Sequence, residues 1–134
     1  MSSRRLGYLL KHAALRLAEL TGPALAPYGI DGRELAVLSV LDAAEPLSQQ
    51  EAARRLGIDR TTMVAMVDTL EGKKLVARRP HPLDRRKNAV ELTDRGRETI
   101  RLGVPAVERA EQAFLASVPE EEQRLFRAVL DRLV

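Results

Sequence analysis

A mainly α (α+β) fold, about six helices with one small hairpin, is predicted for this chain of 134 residues by three observations. Apolar residues recur at spacings of three and four through most of it, the period of a helix with one buried face. Two short runs, "LVARRP" and "NAVELT", have strand character instead, with Val90 and Leu92 on one face and Glu91 on the other. The apolar content of 45% excludes intrinsic disorder, and no apolar run approaches the roughly 18 residues of a membrane-spanning helix.

The first helix carries Leu6, Leu9, Leu10, Ala13, Leu17 and Leu20 on one stripe and is expected to end near Gly22-Pro23, or to restart towards Pro27. The first twenty residues hold neither a continuous apolar segment nor a small-residue cleavage pattern, so no signal peptide is read. "GRELAVLSVLDAAE" supplies Leu35, Leu38 and Leu41 for a second helix, with Pro46 beyond its end. In "LSQQEAARRLG", Ser48 and Glu51 have capping-box spacing: the serine accepts from the first turn and the glutamate reaches back to the cap. Gly57 stops this third helix after about two turns, and Asp59 is placed to cap a fourth. Met63, Met66, Val67 and Leu70 then share one stripe, which makes the methionines core residues rather than cofactor ligands. Ile100, Val104, Val107, Phe114 and Val118 carry a long apolar stripe interrupted at Pro105. Pro119 opens a last helix, with Glu120, Glu121 and Glu122 at its positive end. Its Leu125, Phe126, Val129, Leu130 and Leu133 form a dense apolar face that needs covering, by its own domain or by a second copy of the chain.

The third and fourth helices, joined by "GID", have helix-turn-helix spacing: Ala53 permits close packing, Gly57 makes the turn, and Ile58 and Met63 fill behind it. A hairpin follows directly, which makes a winged helix-turn-helix. Residues 73–87 hold seven Lys/Arg and one Asp, a local balance of +6 in a chain whose net charge is +3, so the other 119 residues carry −3. A block of like charge can be a solvated face and nothing more; set within strand-like sequence, it reads as a surface built for a polyanion.

Over residues 6–134 the chain resembles the MarR family of bacterial transcriptional regulators. The most specific part is an Asp-x-Arg wing followed by Val-x-Leu-Thr-x-x-Gly, here Asp84-Arg85-Arg86 and then Val90 to Gly96. "LSQQEAARRLGIDRTTMVAMVDTLE" is similar to the family's DNA-reading pair of helices. One departure is Lys74, where the family commonly carries glycine: a left-handed residue there bears strain of about 1 kcal/mol, or else the helix ends earlier. The resemblance implies a homodimer with interlocked terminal helices. One domain, 1–134, then divides into a winged helix-turn-helix lobe at about 30–96 and dimerisation helices at about 1–29 and 97–134.

Double-stranded DNA is the expected partner. The core stripe of the fourth helix leaves Arg60, Thr61, Thr62, Val64 and Ala65 facing outward in its first two turns, the part that enters a major groove. Arg60 can bind phosphate or guanine; the threonines either reach DNA or support the helix start; Val64 and Ala65 can meet thymine methyls. Ser48, Gln49 and Gln50 lie at a helix N-terminus suited to phosphate. In the wing, Arg85, Arg86 and Lys87 bring cationic charge, the two arginines being candidates for a narrow minor groove. Asp84 braces a wing arginine by resemblance, or simply forms a turn.

The family's habit of answering to small aromatic or phenolic anions implies an effector, for which Tyr8, His12 and Tyr28 are candidates to line a crevice. With zero cysteines, thiol sensing, disulfides and cysteine-bearing metal sites are excluded; two distant histidines point to no metal, and no cofactor is expected. No catalytic constellation is legible, so an enzyme is not expected. A cytoplasmic, ligand-responsive repressor on a pseudo-palindromic operator is the reading, with an architectural DNA-binding protein or a winged-helix protein-interaction module as alternatives.

Overall fold

The computed structural model describes residues 3–84, 86 and 88–134, so the expectations placed on Arg85 and Lys87 lie outside the described residues. Helix α1 spans Leu6–Leu25 and is followed by a 3₁₀ turn, Ala26–Tyr28. Then come α2 (Gly32–Leu41), strand β1 (Leu47–Ser48), α3 (Gln49–Leu56) and α4 (Arg60–Gly72). Strands β2 (Val76–Pro80) and β3 (Asn88–Leu92) form the wing, and α5 (Asp94–Phe114) and α6 (Glu120–Leu133) close the chain. No helix among the described residues is long and apolar enough to cross a membrane.

The local signals act much as their chemistry dictates. Asp59 Oδ1 accepts the Thr62 amide at 2.7 Å and starts α4. Gly57, at φ 67°, ends α3, with the Ile58 amide reaching back to the Ala53 carbonyl at 3.1 Å. The capping box expected at α3 is half made: Ser48 Oγ accepts from Glu51 N at 3.0 Å, but the Glu51 carboxylate turns to Arg54 at 2.6 Å and to Arg55 at 3.3 Å. Two guanidiniums one turn away outbid a single amide. The complete box is at α2, where Asp31 and Glu34 exchange side-chain bonds with each other's backbone amides. Helix α1 also runs past the expected stop: Pro23 lies inside it, and the break comes at Pro27, which opens the 3₁₀ turn.

The sheet has a strand the periodicity does not announce. Two-residue β1 pairs antiparallel with β3, Leu47 opposite Val90, so the order is β1-β3-β2. Strand β2 pairs with β3 from Val76 opposite Leu92 to Pro80 opposite Asn88. The core lies between this sheet and the helices; Leu25, Leu38, Met63, Val67, Leu70 and Val90 are fully buried in it. Helix α5 buries Thr99, Gly103, Ala106 and Ala110, rather than the larger residues of its expected stripe. Small side chains let α5 lie close along α1: a Cβ on Gly103 would come within 3.3 Å of Leu25. Ile100, Val104 and Val107 flank that seam, half-buried against the core.

The left-handed residue does fall at Lys74, with φ 64°. Leu75 N donates to Leu70 O at 3.0 Å and Lys74 N to Glu71 O at 2.9 Å, the paired bonds of a Schellman turn that satisfies the last carbonyls of α4. A lysine there bears a steric cost that glycine lacks. Lys74→Gly is therefore expected to raise stability by about 0.5–1 kcal/mol, net of glycine's own chain entropy, as read by urea denaturation at fixed protein concentration.

Candidate nucleic-acid interface

Three segments distant in sequence meet at one concave face. A cleft of about 590 Å³ is lined by Ser48, Gln49 and Gln50 at the start of α3, by Arg54, by Arg60 at the start of α4, and by Arg86 and Asn88 from the wing. The antiparallel register of β3 with both β1 and β2 swings the wing back beside the helix-turn-helix. Arg54 and Asn88 join this lining in addition to the residues the sequence indicates. Asn88 follows directly on the basic run, and Arg54 lies beside Arg55 one turn after Glu51, so the spacing carried a signal in each case.

The first two turns of α4 present Arg60, Thr61 and Ala65 as exposed residues, with Thr62 and Val64 half-buried. Thr61, Thr62, Ala65 and Thr69 line a second cavity, about 440 Å³, together with Asp31, Arg33 and Glu34 of the α2 start. The Thr69 hydroxyl bonds back to the Ala65 carbonyl at 3.1 Å. The amide of Thr62 holds the Asp59 carboxyl below its ordinary range. This cap is therefore charged and in place at neutral pH, and its contribution to stability is lost only as pH falls below about 4.

Electrostatics on this face differ from what the charge count suggests. Arg78 of β2 is turned inward, only 20% exposed: its guanidinium sits 2.7 Å from Asp68 and 2.9 Å from Glu71, both on α4. The same side chain donates to Gln49 Oε1 at 3.2 Å and to the Val64 carbonyl at 3.4 Å. Gln49 is thus engaged within the fold. Lys73 pairs with Glu34 at 2.6 Å, and Arg79 with Glu91 at 3.1 Å. Much of the +6 block is balanced by acids that the fold brings from α2, α4 and β3, so only part of the charge that the sequence concentrates there faces outward unpaired.

At the wing, Arg86 Nε lies 3.1 Å from Asp84 Oδ1, and the same oxygen accepts the Arg86 amide at 3.1 Å. Asp84 therefore both forms the turn and braces the arginine. The Arg86 side chain stays 90% exposed, held in direction while open to solvent.

A family model described as the MarR family matches residues 28–87. The HTH-type transcriptional repressor Rv2887 of Mycobacterium tuberculosis is 30% identical over 128 residues, covering 96% of this chain and 92% of the relative. The chain belongs to the MarR family. It is a winged-helix transcriptional regulator by that membership. The regulator YdgJ of Bacillus subtilis is 37% identical over 105 residues, and the match spans 78% of this chain but 64% of that relative. Among solved structures, the repressor CouR bound to a 23-mer DNA duplex superposes with a TM-score of 0.90 at 35% identity, covering 96% of this chain and 92% of CouR. CouR from Rhodococcus jostii RHA1 has also been solved with p-coumaroyl-CoA, with TM-score 0.83 at 28% identity over 98% of this chain and 92% of that one.

The MarR fold separates the three residues expected to share an effector crevice. Tyr8 and His12 stack with ring centroids 4.1 Å apart, and the Arg4 guanidinium lies 5.7 Å from the Tyr8 ring centroid, on the exposed first turns of α1. Tyr28 lies beyond the other end of that helix. It lines a crevice of about 440 Å³ with Leu20, Pro23, Pro27 and, from α5, Ala106, Arg109 and Ala110. Because α1 runs unbroken from Leu6 to Leu25, at 1.5 Å per residue, about 25 Å of helix separates Tyr8 from the end of α1 that precedes Tyr28, and about 12 Å separates His12 from Leu20 at the crevice edge, within one chain. Tyr28 does lie just beyond the first helix, as expected; it is the length of that helix that keeps it from Tyr8 and His12. Arg109, the cation of the Tyr28 crevice, carries no sequence signal, because nothing local separates it from the other arginines of α5.

Proposed function

We propose that this MarR-family chain is a sequence-specific, ligand-responsive repressor that binds a pseudo-palindromic operator as a homodimer. One observation carries the reading: the start of α3, Arg60 and the outward-held Arg86 converge on a single concave face. Helix α4 enters the major groove with Arg60, Thr61, Thr62, Val64 and Ala65. Ser48 and Gln50 meet phosphate, and the wing with Arg86, and by sequence Arg85 and Lys87, follows the adjacent minor groove. The DNA-bound state of CouR supports this. So regulated, the protein acts in the cytoplasm and performs no chemistry of its own.

The dimer reading rests on surfaces the single chain leaves bare. No residue of α6 is buried, and Leu125, Phe126, Val129 and Leu133 are exposed. Leu6, Leu10 and Leu15 of α1 are also exposed. Apolar area on two terminal helices is what a second copy would cover. Residues of about 1–29 and 97–134 then form the dimerisation region around a lobe of about 30–96. Sedimentation at micromolar concentration is expected to give twice the chain mass, and Phe126→Glu with Val129→Glu to give the monomer; a wild-type mass of one chain would refute the dimer. A two-fold dimer places half-sites about one helical turn apart, roughly 10 base pairs.

For the effector, the crevice between α1 and α5 offers Tyr28 for an aromatic ring and Arg109 for an anion. The p-coumaroyl-CoA of CouR supports an aromatic, anionic class.

The deciding experiment is fluorescence anisotropy on the DNA upstream of the coding sequence and on a scrambled duplex of equal composition, across a salt series. Preference for the native duplex of about 10³-fold or more is expected of an operator reader. Equal, steeply salt-dependent binding would instead favour an architectural protein. Arg86→Ala should weaken operator binding by about 1–3 kcal/mol if the side chain reaches a base edge, or lower the salt slope by about one unit if it meets only phosphate. Unchanged binding at every salt concentration would remove Arg86 from the interface.

A further inference from the structure

Helix α4 must hold its outward face at a fixed depth and tilt for base contacts to register. Its buried Met63, Val67 and Leu70 enter the common core with Leu25, Leu35 and Leu38, and α3 and β2 lie against it. Apolar packing of that kind fixes depth but tolerates small rotations, which a directional polar bridge does not. Among the described residues, one α4-terminal side chain makes hydrogen bonds both to the connection between α1 and α2 and to the first turn of α2. Lys73, the C-cap of α4, places its Nζ 2.6 Å from Glu34 Oε2 and 2.7 Å from the Gly29 carbonyl.

Both acceptors are themselves held. Glu34 is only 9% exposed, and its other oxygen accepts the Asp31 amide at 3.1 Å in the capping box of α2. Gly29, at φ 74°, ends the 3₁₀ turn that carries Tyr28, whose ring packs on the core and lines the α1–α5 crevice. A lysine ammonium has three donors on a flexible stem, so it can bridge two fixed acceptors. Half-buried charge on both partners strengthens that bridge relative to an exposed pair.

We propose that Lys73 is a positioning residue for DNA reading: its bridge to Glu34 and Gly29 sets the recognition helix relative to the α1–α2 connection, and so governs operator discrimination without touching DNA. The proposal rests on the reading of α4 as the helix that enters the groove. It also gives the Tyr28 crevice a route to α4, because Gly29 directly follows Tyr28 and its carbonyl is one of the two anchors.

The test uses full-length protein with Lys73→Met, Lys73→Arg and Glu34→Gln, the last keeping an oxygen for the capping box. Without DNA, amide resonances of residues 60–69 are expected to move in Lys73→Met and to return towards wild type in Lys73→Arg. Shifts confined to residues 29–34 and 71–75 would overturn the proposal whatever the protein binds. With DNA, Lys73→Met should lower the native-to-scrambled affinity ratio by about tenfold, a contact-sized loss, with scrambled binding and the salt slope unchanged. Glu34→Gln should act in the same direction, and the double variant should be less than additive. A lower melting temperature with an intact ratio would make the pair merely structural. Equal loss on both duplexes would make Lys73 a phosphate contact. Either result overturns the proposal. Wild-type protein that prefers neither duplex defeats the operator reading itself, and the resonance shifts then decide the positioning role alone.

Discussion

Gly96→Ala is expected to destabilise the protein by about 3–5 kcal/mol, at the severe end for a single methyl group. Gly96 is buried in the first turn of α5, and a Cβ built on it falls 2.1 Å from the Leu75 carbonyl oxygen, with Leu92 Cδ2 also at 3.4 Å. The obstacle is backbone, so no side chain can rotate away. That carbonyl also accepts the Thr93 amide at 3.0 Å, while the Thr93 hydroxyl donates to the Lys74 carbonyl at 2.7 Å and accepts the Gly96 amide at 3.0 Å. A methyl group there would therefore pry apart the turn after α4, the end of β3 and the start of α5 together. Thermal and urea denaturation at matched protomer concentration would measure the loss, since dimerisation contributes to apparent stability. Gly72→Ala, where an added Cβ meets nothing within 4 Å, is the control expected to be near neutral. Equal behaviour of the two variants would show that α5 does not seat against Leu75 as described.

Arg78→Met is expected to weaken DNA binding by about 1.5–3 kcal/mol, roughly 10- to 150-fold, although Arg78 lies only 20% exposed beneath the interface. Two effects add. The guanidinium joins β2 to Glu71 and Asp68 of α4 and to Gln49 of α3, so its loss frees the wing from the helices beside it. Its loss also leaves Asp68 and Glu71 uncompensated on a face that must approach phosphates, where like charge is costly. The two are separable: adding Asp68→Asn and Glu71→Gln to Arg78→Met removes the repulsion but not the loss of the tie, so partial recovery is expected. Anisotropy titrations on native and scrambled duplex would report it. Binding by Arg78→Met equal to wild type would show that neither effect operates.

These residues show which features a reader of the chain alone could recover. Ser48, Gly57 and Asp59 act within four residues of themselves, as caps and a turn, so their spacing alone reveals the helix-turn-helix. The stripe of Met63, Val67 and Leu70 likewise reported its own burial, and alternation in "NAVELT" identified β3. Strand β1 escaped because two residues cannot display a period. The buried seam of α5 escaped because Gly103, Ala106 and Ala110 announce nothing apolar; their value is in how near they let α1 approach.

For the candidate site, outward exposure was legible in the sequence but charge pairing was not. Arg60, Thr61, Ala65 and Arg86 lie where helix phase and the wing motif put them. Arg78 and Lys73, counted with them as wing charge, instead hold the fold together. By itself the sequence determined the order and type of the helices, the caps at Ser48 and Asp59, the turn at Gly57 and the wing, because each depends on residues a turn or two apart; at Lys74 it allowed two endings for α4, and the folded chain takes the left-handed one. Only the tertiary structure decided which cations face outward, that Glu34 meets Lys73 across 39 residues, and that Tyr8 and Tyr28 stand apart. The physical reason is that charge pairing and close packing depend on distance in space, which a sequence read locally does not specify.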